Sequence, residues 1–131
     1  MTHPNKRILI VDDDIDFLEQ TAAALKTAGY EVVTAGGQKE AEDLLQTIRP
    51  DCAVLDLMME HVDGGFALSY HIKKRYPHIP VILVSAVSSE TGLEFDAATE
   101  EERSWIKADA FLSKPIRTEQ LLKEIRNRIK D

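Results

Sequence analysis

Ile8-Leu9-Ile10-Val11-Asp12-Asp13-Asp14 decides the fold of this 131-residue chain. Four successive apolar residues, two of them isoleucine and one valine, read as a short strand buried on both faces. Strands of that kind belong to parallel sheets covered by helices. Three carboxylates follow at the strand's C-terminal end. Like charges a few Å apart repel, so the cluster calls for a cation or a shared proton.

Working outward, the same pattern returns three more times. Asp51-Cys52-Ala53-Val54-Leu55, apolar after its first residue, ends in Asp56, residues 81–84 form a run ending at Ser85, and residues 110–112 a shorter run leading to Ser113-Lys114-Pro115. Residues 31–34 give a further short strand before a turn at Gly36-Gly37. Between the strands the apolar spacing turns helical. Ile15, Leu18, Ala22 and Leu25 form one stripe, opened by Asp14 as a cap and ended by Gly29 as a left-handed residue. Ala41, Leu44, Leu45 and Ile48 form a second, closed by Pro50; Phe66, Leu68 and Ile72 a third, on a helix over 65–75; Leu121, Leu122, Ile125 and Ile129 the last. Pro77 and Pro80 bracket the turn before the fourth strand. Strands alternating with helices require right-handed crossovers, hence a doubly wound α/β domain of five parallel strands with helices on both faces.

Composition bounds the function. One domain is expected over residues 1–131, since a 14.7 kDa chain of this composition, 44% hydrophobic and 30% charged, can bury a substantial core. A net charge of −7 argues against direct nucleic-acid binding, which depends on positive surface to release counterions from phosphates. Cys52 is the only cysteine, so an internal disulfide is excluded, and its apolar surroundings mark it as core. His3, His61, His71 and His78 have no metal-ligand spacing. No apolar run is long enough to span a bilayer or serve as a signal peptide, so a cytoplasmic location without membrane association is expected.

In a parallel sheet all strand C-termini share one edge, where ligands bind. Asp12, Asp13, Asp56, Ser85 and Lys114 all fall at or just after predicted strand ends. Hard carboxylate oxygens without His or Cys suit Mg²⁺. An aspartate can attack phosphorus to give an aspartyl-phosphate, while a metal and a lysine neutralise the phosphoryl oxygens and a serine donates to one of them.

These stretches together, with Val54-Leu55-Asp56-Leu57-Met58-Met59-Glu60-His61-Val62-Asp63-Gly64, Val81-Ile82-Leu83-Val84-Ser85-Ala86 and Leu112-Ser113-Lys114-Pro115, resemble the receiver domain of two-component response regulators over nearly the whole chain. The resemblance implies a flavodoxin-like strand order 2-1-3-4-5. It also implies that Asp56 takes a phosphoryl group from a sensor histidine kinase or phosphotransfer protein, making the domain a regulatory phosphoacceptor rather than an enzyme. Asp12, Asp13, Asp56 and the Met58 backbone carbonyl would hold Mg²⁺, Ser85 and Lys114 would contact the phosphoryl oxygens, and a cis bond would join Lys114 to Pro115. Phe111 matches the aromatic switch position: Ser85 moves toward the phosphoryl group, the ring fills the vacated space, and the face of the fourth helix, fifth strand and last helix shifts for a downstream protein or fused output domain. A phosphorylation-linked homodimer is among the outcomes the resemblance allows.

The sequence departs from that pattern in places. Glu60 stands where the family usually has proline. Met58 and Val87 are apolar where the family borders the path of attacking water, so a long-lived aspartyl-phosphate is expected. The step from Ser85 to Lys114 exceeds the usual one by about two helical turns. It carries an extended segment at about 86–108 with a capping box at 99–102 opening a helix to about 107. Residues 86–102 hold six acids and no base. They read as a solvated loop or as a docking surface with Leu93, Phe95 and Trp105 as apolar anchors. Two other classes fit less well. A haloacid-dehalogenase-like phosphatase would use Asp12 as nucleophile and Asp14 as acid, but it lacks paired acids after Lys114 and leaves Asp56 without a role. A pseudo-receiver acting purely as a binding module would have no reason to retain all five site residues.

Overall fold

The computed structural model describes residues 6–56, 64–85, 110–113 and 117–129. Its strands are β1 (Arg7–Val11), β2 (Glu31–Ala35), β3 (Cys52–Asp56), β4 (Val81–Ser85) and β5 (Ala110–Ser113). Among the described residues the helices are α1 (Ile15–Thr27), α2 (Gln38–Leu45), α3 (Gly64–Arg75) and α4 (Thr118–Arg128). All strand pairs are parallel, in the order β2-β1-β3-β4, with β5 alongside β4. The expected doubly wound parallel α/β architecture is what the chain forms.

Strand alternation divides the core in two. Leu9, Val11, Ala53, Leu55, Val81 and Leu83 face one side, where Ala41 and Leu45 of α2 and Leu68 and Ile72 of α3 cover them. Ile8, Ile10, Cys52, Val54, Ile82 and Val84 face the other, under Leu18 and Leu25 of α1 and Leu121 and Ile125 of α4. Because both faces are dry there, the central strands β1, β3 and β4 carry unbroken apolar runs, whereas the edge strand β2 exposes Glu31 and Thr34. Leu83 is fully buried in a central strand. Leu83→Ala should therefore cost about 2–5 kcal/mol, the range for truncating a leucine in a close-packed core. Chemical denaturation checks this: the midpoint falls while the slope stays constant.

Local chemistry sets the ends of α1. Asp14 caps it by accepting from the Phe17 N–H at 3.2 Å. At the other end Gly29 takes φ 103°, a region that favours glycine. Its N–H donates to the Lys26 carbonyl, and the Tyr30 N–H reaches the Leu25 carbonyl, closing the helix with a double bond pattern. Tyr30 and Leu25 are both buried in the same cluster, which seals that end.

Two expectations need correction. The helical spacing places Ile15 in the inward stripe, yet it is 67% exposed. It is the first residue of α1 and lies where the helix begins, beyond the last covered strand residue, so the stripe starts at Leu18. The second helix was expected to run to Pro50; α2 ends at Leu45, and residues 46–48 form turns in which the Thr47 and Ile48 N–H groups donate to the Leu44 carbonyl. Ile48 is half-buried beyond the helix end. The extended segment at 86–108, its proposed helix, Leu93, Phe95 and Trp105 lie outside the described residues.

Candidate functional site

The parallel arrangement brings the C-terminal ends of β1 and β3 side by side, with Val11 in register with Leu55. The residues just beyond those positions are Asp12 and Asp56. Carboxylate oxygens of Asp12, Asp13 and Asp56 all lie within 4.8 Å of one another. Asp12 and Asp56 are buried, at 1% and 5% exposure, and Asp13 is exposed. The site therefore has two carboxylates fixed by the sheet and one facing solvent at its mouth.

The backbone holds Asp12 in place. Its N–H donates to the Ala35 carbonyl at the end of β2, 3.1 Å away, extending the β1–β2 ladder by one residue. Its Oδ1 accepts from the Asp14 N–H at 2.9 Å. The Asp triplet is thus divided by function: Asp12 turns inward, Asp14 caps α1, and Asp13 is left toward water. That division follows from the turn between strand and helix, and the Asp12 to Asp14 hydrogen bond is a positioning contact that the sequence did not reveal.

The donor set suits a hard divalent cation. Octahedral coordination at about 2.0–2.1 Å puts neighbouring ligand oxygens about 3 Å apart and opposite ones about 4 Å apart. Three oxygens grouped within 4.8 Å need only small side-chain adjustments to reach that spacing. Mg²⁺ would leave several positions for water and substrate oxygen, as the exposed side of the cluster permits.

The remaining expected site residues are less completely placed. Ser85 ends β4 and pairs in register with Ser113, and Phe111 lies opposite Leu83 in β5, so both backbones sit on the strands expected of them. Their side chains lie outside the described residues, as do Met58, Glu60, His61, Val87, Lys114 and Pro115 in full. His71 is far from the acid cluster in sequence and on α3, where its Nδ1 contacts Glu42 at 2.8 Å. It is no ligand of this site.

A family model for the response regulator receiver domain matches residues 8–126. The chain belongs to that family. The receiver domain is 34% identical over 122 residues to Response regulator MprA of Mycolicibacterium vanbaalenii, covering 92% of this chain and 48% of that protein. Among solved structures it superposes on a CheY-like response regulator receiver domain protein from Methanospirillum hungatei with a TM-score of 0.78 and 28% identity, covering 94% of this chain and 92% of that one. It also matches response regulator protein TrrA from Thermotoga maritima, in complex with Mg²⁺–BeF, with a TM-score of 0.76 and 27% identity over 95% of this chain and 99% of that one. The chain spans about half the length of the curated relatives it matches.

Proposed function

We propose that this receiver domain is the phosphoacceptor of a two-component signalling system, with Asp56 as the reacting carboxylate. The observation that carries the reading is the convergence of Asp12, Asp13 and Asp56 within 4.8 Å at one sheet edge. Asp12 and Asp13, with Asp56 and the Met58 backbone carbonyl, are the residues to hold Mg²⁺. When bound, Mg²⁺ neutralises charge on the phosphoryl oxygens during transfer.

The chemistry assigned to the protein's own groups is simple. A carboxylate oxygen of Asp56 attacks the phosphorus of a phosphohistidine on a sensor kinase or phosphotransfer protein. The P–O bond forms as the P–N bond breaks, and the departing imidazole keeps the electron pair and takes up a proton. The Lys114 ammonium and the Ser85 hydroxyl are assigned to the phosphoryl oxygens, and Phe111 to the relay that carries the change to the far end of the sheet. One domain over 1–131, lengthened between β4 and β5, and a downstream protein or output domain that reads the phosphorylated face complete the reading.

Incubation of the purified protein with Mg²⁺ and acetyl phosphate, followed by intact-mass measurement, tests it. A gain of one phosphoryl group that vanishes in EDTA is expected. Beryllofluoride with Mg²⁺ should shift amide resonances at the C-terminal ends of β1, β3 and β4. No mass gain and no resonance shift would favour the pseudo-receiver.

A further inference from the structure

The most unusual charge distribution outside the acid cluster is on α3. The chain carries 23 acids against 16 lysines and arginines, yet no Asp or Glu occurs between Gly64 and Ser89. That stretch holds Lys73, Lys74, Arg75, His71 and His78. Arg49, just before β3, joins them in space. The guanidinium groups of Arg49 and Arg75 lie 5.6 and 5.5 Å from the centroid of the same Tyr76 ring. Lys74 lies 5.9 Å from the ring of Tyr70, which is itself 46% exposed.

Among the described residues, no carboxylate forms an ion pair with Arg49, Lys74 or Arg75. All three side chains are exposed. Two guanidinium groups gathered on one ring repel each other, and among the described residues no carboxylate neutralises them. The shared Tyr76 ring holds both guanidinium groups near one point by cation–π attraction, so one carboxylate-bearing segment can reach both.

Beside these cations runs a groove of about 190 Å³ between α2 and α3, lined by Leu45, Ile72, Arg75, Tyr76, Glu42 and His71. Leu45 and Ile72 make its floor apolar. Its mouth already holds one carboxylate: Glu42 contacts His71 Nδ1 at 2.8 Å and accepts from the Gln38 amide at 3.0 Å. Burial raises the Glu42 pKa, but those hydrogen bonds and the charge of His71 outweigh it, and the net direction is downward.

We propose that the α2–α3 groove and the Arg49, Lys74 and Arg75 cluster form a docking surface for an acidic protein segment, one in which carboxylates flank an apolar side chain. The apolar side chain would enter the groove over its Leu45 and Ile72 floor and against the Tyr76 ring, and the carboxylates would pair with the two guanidinium groups. A protein segment fits better than a nucleic acid. The cationic area is short, and Glu42 of α2 lines the groove beside it, so a polyanion running on past the arginines would meet like charge in a chain already at −7. α3 runs back from the acid cluster, and Arg75 and Arg49 sit near the edge where β4 and β3 begin, so an occupant here would leave Asp56 open to its phosphodonor.

A labelled synthetic peptide with the sequence of residues 90–102, which combines Leu93 and Phe95 with carboxylates, serves as a defined acidic probe. Fluorescence anisotropy should show saturable binding that weakens about tenfold or more in the Arg49→Glu/Arg75→Glu double variant, and falls as salt is raised from low to physiological strength. Amide shifts should cluster at Leu45, Ile72 and Tyr76. Circular dichroism and retained labelling by acetyl phosphate confirm that the exposed substitutions leave the fold intact. Lys74→Glu alone should give a smaller loss. Absence of peptide binding, binding indifferent to these charge reversals, or stronger charge-dependent binding to a duplex oligonucleotide or to phosphatidylserine vesicles each overturns the proposal.

Discussion

Asp56→Asn is expected to abolish phosphoryl uptake from acetyl phosphate while leaving a cooperatively folded protein. The amide is nearly the same size as the carboxylate, so the packing of Leu55 and Val54 in β3 is undisturbed. What is lost is the anionic oxygen that attacks phosphorus, and an uncharged amide oxygen is a far weaker nucleophile. One of three carboxylates for the cation goes with it. Intact-mass spectrometry in Mg²⁺ should show one added phosphoryl group in the parent protein and none in the variant. Labelling of the variant at the parent level would place the acceptor elsewhere and sink the assignment of Asp56. Labelling lost in Asp12→Asn but kept in Asp56→Asn would favour the phosphatase-like alternative, in which Asp12 is the nucleophile.

Much of this fold can be read from the chain because its strands are buried on both faces. Ile8-Leu9-Ile10-Val11 and Val81-Ile82-Leu83-Val84 are apolar without interruption, a pattern that few structures besides a helix-covered parallel strand accommodate. The helices were legible wherever their stripe lay over the sheet, as with Leu18, Ala22 and Leu25. Ile15 shows where such reading fails. Periodicity reports which side of a helix a residue is on, and says nothing of whether a partner layer extends that far. The short α2 fails for a related reason: Ile48 is half-buried beyond Leu45, and apolar spacing does not distinguish a final helical turn from turns that follow it. The site was legible through topology, since parallel strands deliver their end residues to one edge whatever the loops do. Asp13 and Asp12 read alike in sequence, whereas in the structure one faces water and the other is buried by the turn into α1. The groove between α2 and α3 is not legible in the sequence, because its cations come from separate segments, Arg49 ahead of β3 and Arg75 at the end of α3. The acid-free stretch from Gly64 to Ser89 was the available signal.

Asp12→Asn should reverse the order of stability between parent and variant as Mg²⁺ is added. In EDTA, the parent holds the Asp12 and Asp56 carboxylates, both buried, and Asp13 within 4.8 Å of one another. At that separation two unit charges repel by about 3 kcal/mol for an effective dielectric constant near 20. Solvent around Asp13 and the other contacts of the pocket reduce this, and neutralising Asp12 relieves what remains, in line with the stability that functional sites commonly forgo. Asparagine retains a side-chain carbonyl to accept the Asp14 N–H, so the turn into α1 keeps its hydrogen bond. The variant should therefore melt several degrees higher than the parent in EDTA, since about 1 kcal/mol shifts a domain of this size by roughly 4 °C. Mg²⁺ reverses the comparison. Preferential binding to the folded parent adds about 2.7 kcal/mol at one hundred times the dissociation constant, whereas the variant has lost a ligand and gains much less. Thermal unfolding of both proteins across a Mg²⁺ titration reads the two slopes and the crossing point. A variant that is less stable than the parent in EDTA would show that Asp12 contributes packing or hydrogen bonding worth more than its repulsion costs. Parallel Mg²⁺ responses would remove Asp12 from the ligand set altogether.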